Sequence, residues 1–83
     1  MAQYSNGQTI QIGDRILWGA KTPATIVFVL DDEQFSPEYP REEWILYKNE
    51  IGKVGVKLDL PSEVILDSPE DFVFVAHAEN NRG

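Results

Sequence analysis

The sequence predicts a small, mainly β domain of five short strands and one short helical turn, folded into a partly open barrel. The chain has 83 residues, enough for one domain, and a domain of this size buries roughly 60% of the surface that its unfolded chain exposes. Hydrophobic residues make up 42% and nine residues are aromatic, too many for a disordered chain. Short β-type runs recur about every ten residues with turn signals between them, as in small barrels and sandwiches. A barrel is the simpler solution at this length, because closing the sheet on itself removes most of its unpaired edge.

The first part of the chain contains two predicted strands. Between residues 9 and 18 apolar residues alternate with polar ones, a period of two that indicates a strand, and Gly13-Asp14 marks a turn or bulge within it. The alternating apolar residues are Ile10, Ile12, Ile16 and Trp18. Residues 19–23 are predicted to be a loop. Residues 24–30 are rich in β-branched side chains, and we expect them to form the most buried strand.

A short helix is predicted to begin after Pro40. The X-Pro steps at residues 36–37 and 39–40 push the residue before each proline to extended geometry, so a helix cannot start earlier. Pro40 itself suits the first helical position, where its missing N–H costs nothing. Residues 41–47 then form one or two helical turns. Trp44 and Tyr47 are spaced so that they fall on one face of this helix, and Ile51, four residues further along, continues the same face.

Three further strands complete the prediction, at residues 54–58, 62–67 and 72–76. The first of them alternates valine and leucine with lysine and glycine, which indicates a strand with one buried face. The last two are joined by the short polar link at residues 68–71. We expect a single domain over residues 8–77, with flexible termini at residues 1–7 and 78–83.

The negative charge of the chain is concentrated in one segment. The formal net charge is -7, and residues 31–43 contain six acidic residues and one basic residue, Arg41, which is a net charge of -5. The acidic residues are Asp31, Asp32, Glu33, Glu38, Glu42 and Glu43. Four of the nine aromatic residues lie in or just beyond the same segment, namely Phe35, Tyr39, Trp44 and Tyr47. This acidic, aromatic segment differs chemically from the rest of the chain.

Composition argues against several classes of function. Basic residues are outnumbered two to one, whereas nucleic-acid binding draws on Lys and Arg to neutralise phosphates, so we expect no nucleic-acid partner. The longest apolar run, residues 26–30, is far shorter than the roughly 20 residues of a membrane helix, and we expect no membrane association. The chain has no cysteine and no signal-peptide pattern at its start. A reducing cytoplasm is therefore the expected location.

Catalytic and metal-binding functions are also disfavoured, and we expect no catalytic residue, metal or other cofactor. His77 is the only histidine, and no serine has the surroundings of an activated nucleophile. The carboxylates at residues 31–33 could suggest a cation site, but their spacing is not that of a calcium loop, and a solvated acidic turn after the second strand is the simpler interpretation. Glu42 and Glu43 fit the first turn of the predicted helix, where they complement its dipole.

The four aromatic residues favour a protein-binding surface. We expect one or two of the rings, Trp44 and Phe35 first, to pack over an open end of the barrel. A short segment that also carries six acids cannot bury all four, so Tyr39 and Tyr47 are the candidates for exposure. Exposed rings supply contact area and carboxylates attract a basic partner. The predicted partner-binding residues are Asp31, Asp32, Glu33, Phe35, Glu38, Tyr39, Glu42, Glu43, Trp44 and Tyr47.

Two parts of the sequence resemble known proteins. The run at residues 12–17 (IGDRIL), a glycine-containing loop and a strongly apolar second strand resemble the start of SH3-like barrels, although the glycine common before the second strand is missing at residues 21–24. The run at residues 35–44 (FSPEYPREEW), followed by residues 49–56 (NEIGKVGV), resembles small bacterial proteins that are encoded beside polymorphic toxins and secreted effectors and are thought to be immunity proteins.

The second resemblance implies an SH3-like barrel that binds and blocks one cognate toxin in the cytoplasm. The first hypothesis is therefore an immunity protein, a stoichiometric inhibitor whose acidic, aromatic segment covers a basic cleft. The alternative is an SH3-like adaptor or subunit module that binds a peptide or partner domain, with no toxin involved. Both hypotheses use the same surface, and neither involves an enzyme activity.

Overall fold

The computed structural model describes residues 2–47 and 54–77, which form an antiparallel five-stranded sheet and one short helix. The strands are β1 (Arg15–Trp18), β2 (Thr22–Val29), β3 (Val54–Leu58), β4 (Val64–Asp67) and β5 (Phe72–Ala76). The helix α1 (Arg41–Trp44) continues into a 3-10 turn, Ile45–Tyr47, and a second 3-10 turn, Pro69–Asp71, joins β4 to β5. The mainly β prediction with one short helix is confirmed.

The strand order is β4-β3-β2-β1-β5, so four strands follow one another in sequence and the last returns beside the first. The sequence predicts the five strands but not their order, which comes from the structure alone. In a flat sheet β1 and β4 would lie about 14 Å apart, three strand spacings. The indole N–H of Trp18 on β1 nevertheless donates a 2.8 Å hydrogen bond to Asp67 on β4. The sheet is therefore strongly curved, and its two edge strands are joined by only residues 68–71.

The connection between β1 and β2 is tighter than the sequence predicts. Only residues 19–21 lie between the paired residues Trp18 and Thr22. Gly19 and Ala20 are the central residues of a turn, with φ of 62° and 64°, and Lys21 N–H donates to the carbonyl of Trp18. Positive φ at both central residues belongs to the turn whose twist matches an antiparallel hairpin. Residues 19–23 were predicted to be a loop, but β2 already begins at Thr22. Such a turn is normally recognised by a glycine at its second central position, where this chain has Ala20.

The main core lies on the concave side of the sheet. Its buried members come from every strand except β4 and from the segment before β1, and they are Ala2, Tyr4, Ile10, Ile16, Ala24, Ile26, Val29, Val54, Val56, Leu58 and Phe72. Trp18, Ile65 and Phe74 pack against this cluster while remaining partly exposed.

The start of the domain differs from the prediction. Residues 1–7 were expected to be a flexible terminus, yet Ala2 and Tyr4 are buried in the core. Residue 3 pairs with Thr9 across a short hairpin, and Ile10 N–H donates to the carbonyl of Ala2. The ordered domain thus includes the segment from residue 2 onwards, because two of its side chains complete the core. The predicted flexible terminus at residues 78–83 lies outside the described residues.

Other element boundaries shift by a few residues. The first strand was predicted over residues 9–18, but β1 begins at Arg15 because Gly13 has a φ of 92° and interrupts the extended chain. The fourth begins at Val64 rather than residue 62, and β3 and β5 match their predicted ranges. Within the described ranges, no helix has the length and apolar character needed to cross a membrane.

Candidate protein-binding surface

The acidic, aromatic segment begins at a tight reversal after β2. Val29 and Gln34 exchange two backbone hydrogen bonds of 2.9 and 3.0 Å, and Glu33 N–H donates to the carbonyl of Leu30. Glu33 takes a φ of 51°, the left-handed conformation that often closes such loops. Asp31 is exposed at the tip of this reversal. The turn directs the following residues back over the outer face of the sheet.

A bulge in β2 provides the base on which the segment packs. The pairing of β2 with β3 shifts register between Ile26 and Phe28, and an extra residue in a strand moves the following side chains to the opposite face. Ile26 and Val29 both enter the main core, whereas the fully buried Phe28 lies outside that cluster. The ring of Phe28 therefore projects from the outer face of the sheet.

Phe28 is the centre of an aromatic cluster that the acidic segment covers. The centroid of its ring lies 6.1 Å from that of Phe35, 5.9 Å from Tyr39 and 4.7 Å from Trp44. Beneath it, Gly55 of β3 pairs with Phe28, and a Cβ atom on Gly55 would overlap the phenyl ring. Gly55 is therefore needed for close packing rather than for an unusual backbone angle.

The helix places Trp44 inward and its acidic residues outward. Trp44 is half-buried, and its ring also lies 6.3 Å from Tyr39 and 5.7 Å from Tyr47. Its indole Nε1 is buried and has no hydrogen-bond partner among the described residues. Glu42 and Glu43 are exposed in the first turn. In that position they complement the positive end of the helix dipole and remain available to a partner.

Two of the six acidic residues make internal contacts. Asp32 accepts a 3.2 Å hydrogen bond from the backbone N–H of Ala2. Glu33 forms a 3.0 Å ion pair with Arg41, the only basic residue of the segment. These contacts tie the reversal to the start of the chain and to the helix. The other four carboxylates are exposed and make no ion pair within the described part of the chain; they are Asp31, Glu38, Glu42 and Glu43.

The structure thus divides the ten predicted site residues by role. Phe35, Tyr39 and Trp44 are half-buried rings that hold the segment on Phe28, as the sequence predicts for Phe35 and Trp44 but not for Tyr39. Tyr47 is 36% exposed and lies at the margin of the cluster, in agreement with its predicted exposure. The carboxylates of Asp31, Glu38, Glu42 and Glu43 form the outer part of the surface.

Sequence reasoning missed one exposed residue of this surface, Leu46. Its side chain is 66% exposed in the 3-10 turn beside Tyr47. Its spacing from Trp44 was a usable signal: if Trp44 faces inward, a residue two positions later faces roughly the opposite way.

A second, polar cluster surrounds the buried carboxylate of Asp14. Asp14 is completely buried, the only charged residue so placed among those described. One of its oxygens, Oδ2, accepts hydrogen bonds from the Tyr4 hydroxyl at 2.7 Å and from the Gln11 N–H at 2.9 Å. The other, Oδ1, lies 3.0 Å from Nδ1 of His77. Burial, the hydrogen bond to Asp14 and its negative charge together raise the pKa of Tyr4 well above its usual value.

Among the residues that the structure describes, neither the acidic, aromatic segment nor the cluster around Asp14 groups the side chains that a metal ion needs. In the ranges 2–47 and 54–77, no three histidine, aspartate or glutamate side chains are grouped so that they could hold an ion. Comparison of the chain with protein-family models, characterised proteins and solved structures gave no match.

Proposed function

We propose that this chain is a protein-binding domain that inhibits a cognate bacterial toxin by covering its basic cleft. The observation that carries the proposal is a set of four exposed carboxylates that form no ion pair with any other residue of the ranges 2–47 and 54–77, namely Asp31, Glu38, Glu42 and Glu43. They project from a segment that is itself held in place by the aromatic cluster on Phe28. A surface that is ordered before binding loses less conformational entropy when a partner docks.

The charge of the surface indicates the chemistry of the partner. Toxins that act on anionic substrates, such as nucleases, present basic clefts, and a complementary acidic protein associates with them faster and blocks substrate access. The resemblance of residues 35–44 and 49–56 to immunity-type proteins adds to this argument. The alternative function is an adaptor or subunit module that binds a peptide or partner domain, and it rests on the analogy with SH3-like domains alone.

The first experiment is co-purification with the product of the adjacent gene. An immunity protein is expected to form a one-to-one complex with a toxin domain and to abolish its activity at equimolar concentration. A complex with a partner that has no toxic activity would instead support the adaptor function. If the adjacent product does not bind at all, the proposed inhibition is wrong.

A charge-reversal pair tests the role of the acidic surface. We expect Asp31→Lys combined with Glu38→Lys to slow association at least about tenfold at low salt and to flatten its dependence on ionic strength. The matched control is Glu63→Lys combined with Glu70→Lys, which changes the net charge equally at two exposed acids outside the segment. Stopped-flow mixing or surface plasmon resonance at several salt concentrations measures the association rate of each double variant. Equal slowing in the two variants would contradict a localised acidic surface.

A further inference from the structure

We propose that Leu46 is the apolar anchor of this surface and inserts into a pocket on a basic partner protein, with Glu42 and Glu43 paired to Lys or Arg residues at the pocket rim. This inference rests on the proposed function and adds to it the residue that supplies the contact area. In this proposal the aromatic rings of the acidic segment hold Leu46 in position, and Leu46 itself contacts the partner.

The exposure of the residues supports this division. Leu46 is 66% exposed, whereas Phe35, Tyr39 and Trp44 are half-buried against Phe28 and against one another. A half-buried ring that packs in its own domain has little surface left for a partner. Interfaces obtain most of their energy from a few side chains that become fully desolvated on binding. Among the large hydrophobic side chains of residues 31–47, Leu46 has the largest exposed fraction.

The helical geometry places Leu46 next to two carboxylates. Glu42 and Glu43 precede Leu46 by four and three positions in the run formed by α1 and the 3-10 turn. Residues at these spacings are neighbours on the same face of a helix. All three side chains are exposed. An apolar side chain beside two carboxylates has the composition of a small contact patch with a charged rim.

The residues on either side of Leu46 are held by packing. Trp44, two residues earlier, has its ring centroid 4.7 Å from that of Phe28, and Tyr47, the next residue, packs against Trp44 at 5.7 Å. The ion pair between Glu33 and Arg41 ties the start of the helix to the preceding turn. Leu46 is therefore presented from a supported turn, so that its insertion requires little additional ordering.

The charge of the acidic segment favours a basic protein as the partner of Leu46 over a second copy of this chain. A second copy of this chain would bring the same acidic segment, with a net charge of -5 over residues 31–43, against itself. Like charges brought together at an interface oppose association. A partner with Lys or Arg beside an apolar pocket has the complementary charge and shape.

The test compares two exposed leucines. We expect Leu46→Ala to weaken the complex with the adjacent gene product about 10- to 100-fold, mainly through faster dissociation, and to leave the melting temperature nearly unchanged because the side chain is exposed. The matched control is Leu60→Ala, since Leu60 is 84% exposed in the connection between β3 and β4, outside the acidic segment. It should bind like the parent.

The outcomes separate this inference from the proposed function. One outcome is that Leu46→Ala binds like the parent while charge reversal at Asp31 and Glu38 slows association. In that case the acidic surface binds the partner, and the proposal that Leu46 is its anchor is wrong. If the parent itself binds no adjacent gene product, the proposed function fails and the anchor fails with it. Analytical ultracentrifugation of the free protein adds one more outcome: a dimer that Leu46→Ala dissociates would identify a second copy as the occupant and overturn the basic partner.

Discussion

At the scale of single residues, the buried carboxylate of Asp14 joins three distant parts of the chain. Tyr4 lies in the segment before β1, Gln11 precedes the turn that contains Asp14, and His77 follows β5, 63 residues further along. A buried carboxylate is tolerated only where hydrogen bonds replace its hydration, and here two donors and the imidazole do so. The cluster therefore orders both ends of the described fold around one side chain.

The raised pKa of Tyr4 predicts how stability depends on alkaline pH. The unfolded chain loses the phenol proton near the ordinary pKa of 10.0, whereas the folded protein retains it to higher pH. The stability that this difference contributes is fully present below about pH 10 and is lost as pH rises towards the folded pKa. We expect the free energy of unfolding to decrease above about pH 10, measured by urea denaturation at a series of pH values.

The variant Tyr4→Phe tests the origin of this dependence. It should lower stability by about 1 to 3 kcal/mol at neutral pH, because Asp14 loses a donor inside the core, and it should flatten the decrease above pH 10. Tyr47→Phe removes an exposed phenol and is the matched control, with little effect on either quantity. An unchanged alkaline decrease in Tyr4→Phe would assign the effect to other groups.

At the scale of secondary-structure elements, the bulge in β2 determines where the candidate surface forms. Without it, Phe28 would follow the alternation of Ala24 and Ile26 into the main core. The register shift instead places Phe28 on the outer face over Gly55, where the acidic segment covers it. The surface is thus an outer layer of aromatic side chains on the sheet rather than an extension of the main core.

The close contact between Phe28 and Gly55 gives the second stability prediction. A methyl group on residue 55 would overlap the phenyl ring, so we expect Gly55→Ala to destabilise the fold by about 1 to 3 kcal/mol or somewhat more. Phe28→Ala should cost about 3 to 5 kcal/mol, because it removes the centre of the aromatic cluster. Chemical denaturation of the single and double variants measures both effects.

The double variant distinguishes steric overlap from a general weakening of β3. Once the ring is gone, the added methyl has space, so Phe28→Ala with Gly55→Ala should cost clearly less than the sum of the two single changes. Strict additivity would show that Gly55 is needed for some reason other than the ring above it.

At the scale of the whole molecule, curvature of the sheet brings distant strands together. The hydrogen bond from Trp18 to Asp67 joins β1 to β4 across the concave side, although two strands lie between them. The neighbouring oxygen of Asp67 accepts from the backbone N–H of Ser68 at 2.8 Å, where the chain leaves β4 for the turn to β5. The side chain of Asp67 thus stabilises both the curvature of the sheet and the connection from β4 to β5.

A double-mutant cycle on this pair tests the curvature. Trp18→Phe removes the donor and Asp67→Ala removes the acceptor, and each should lower stability by about 1 to 3 kcal/mol. Because they share one hydrogen bond, the coupling between them should be at least about 0.5 kcal/mol. Arg15→Ala with Asp67→Ala is the control, since Arg15 pairs with Asp59 and not with Asp67. Additive effects in the Trp18 pair would contradict a direct contact in solution.

The strands, the helix and the charge distribution could be predicted from the sequence because they depend on local patterns. Alternation of apolar residues located β3, and six acids in thirteen residues identified the candidate surface. Pro40 marked the helix start, although it is the N-cap and not the first helical residue. The turn at Gly19 and Ala20 was missed because alanine rarely takes a positive φ, and the buried Ala2 and Tyr4 were missed because chain ends usually fray.

Only the tertiary structure decided what each side chain does. A one-residue shift in β2 turned Phe28 outward, which made Phe35, Tyr39 and Trp44 supports and left Leu46 exposed. The contact between Asp14 and His77 depends on how β5 returns to β1. The physical reason is that secondary structure follows from neighbours in sequence, whereas burial, pairing and exposure follow from register and from which distant strands the curved sheet brings together.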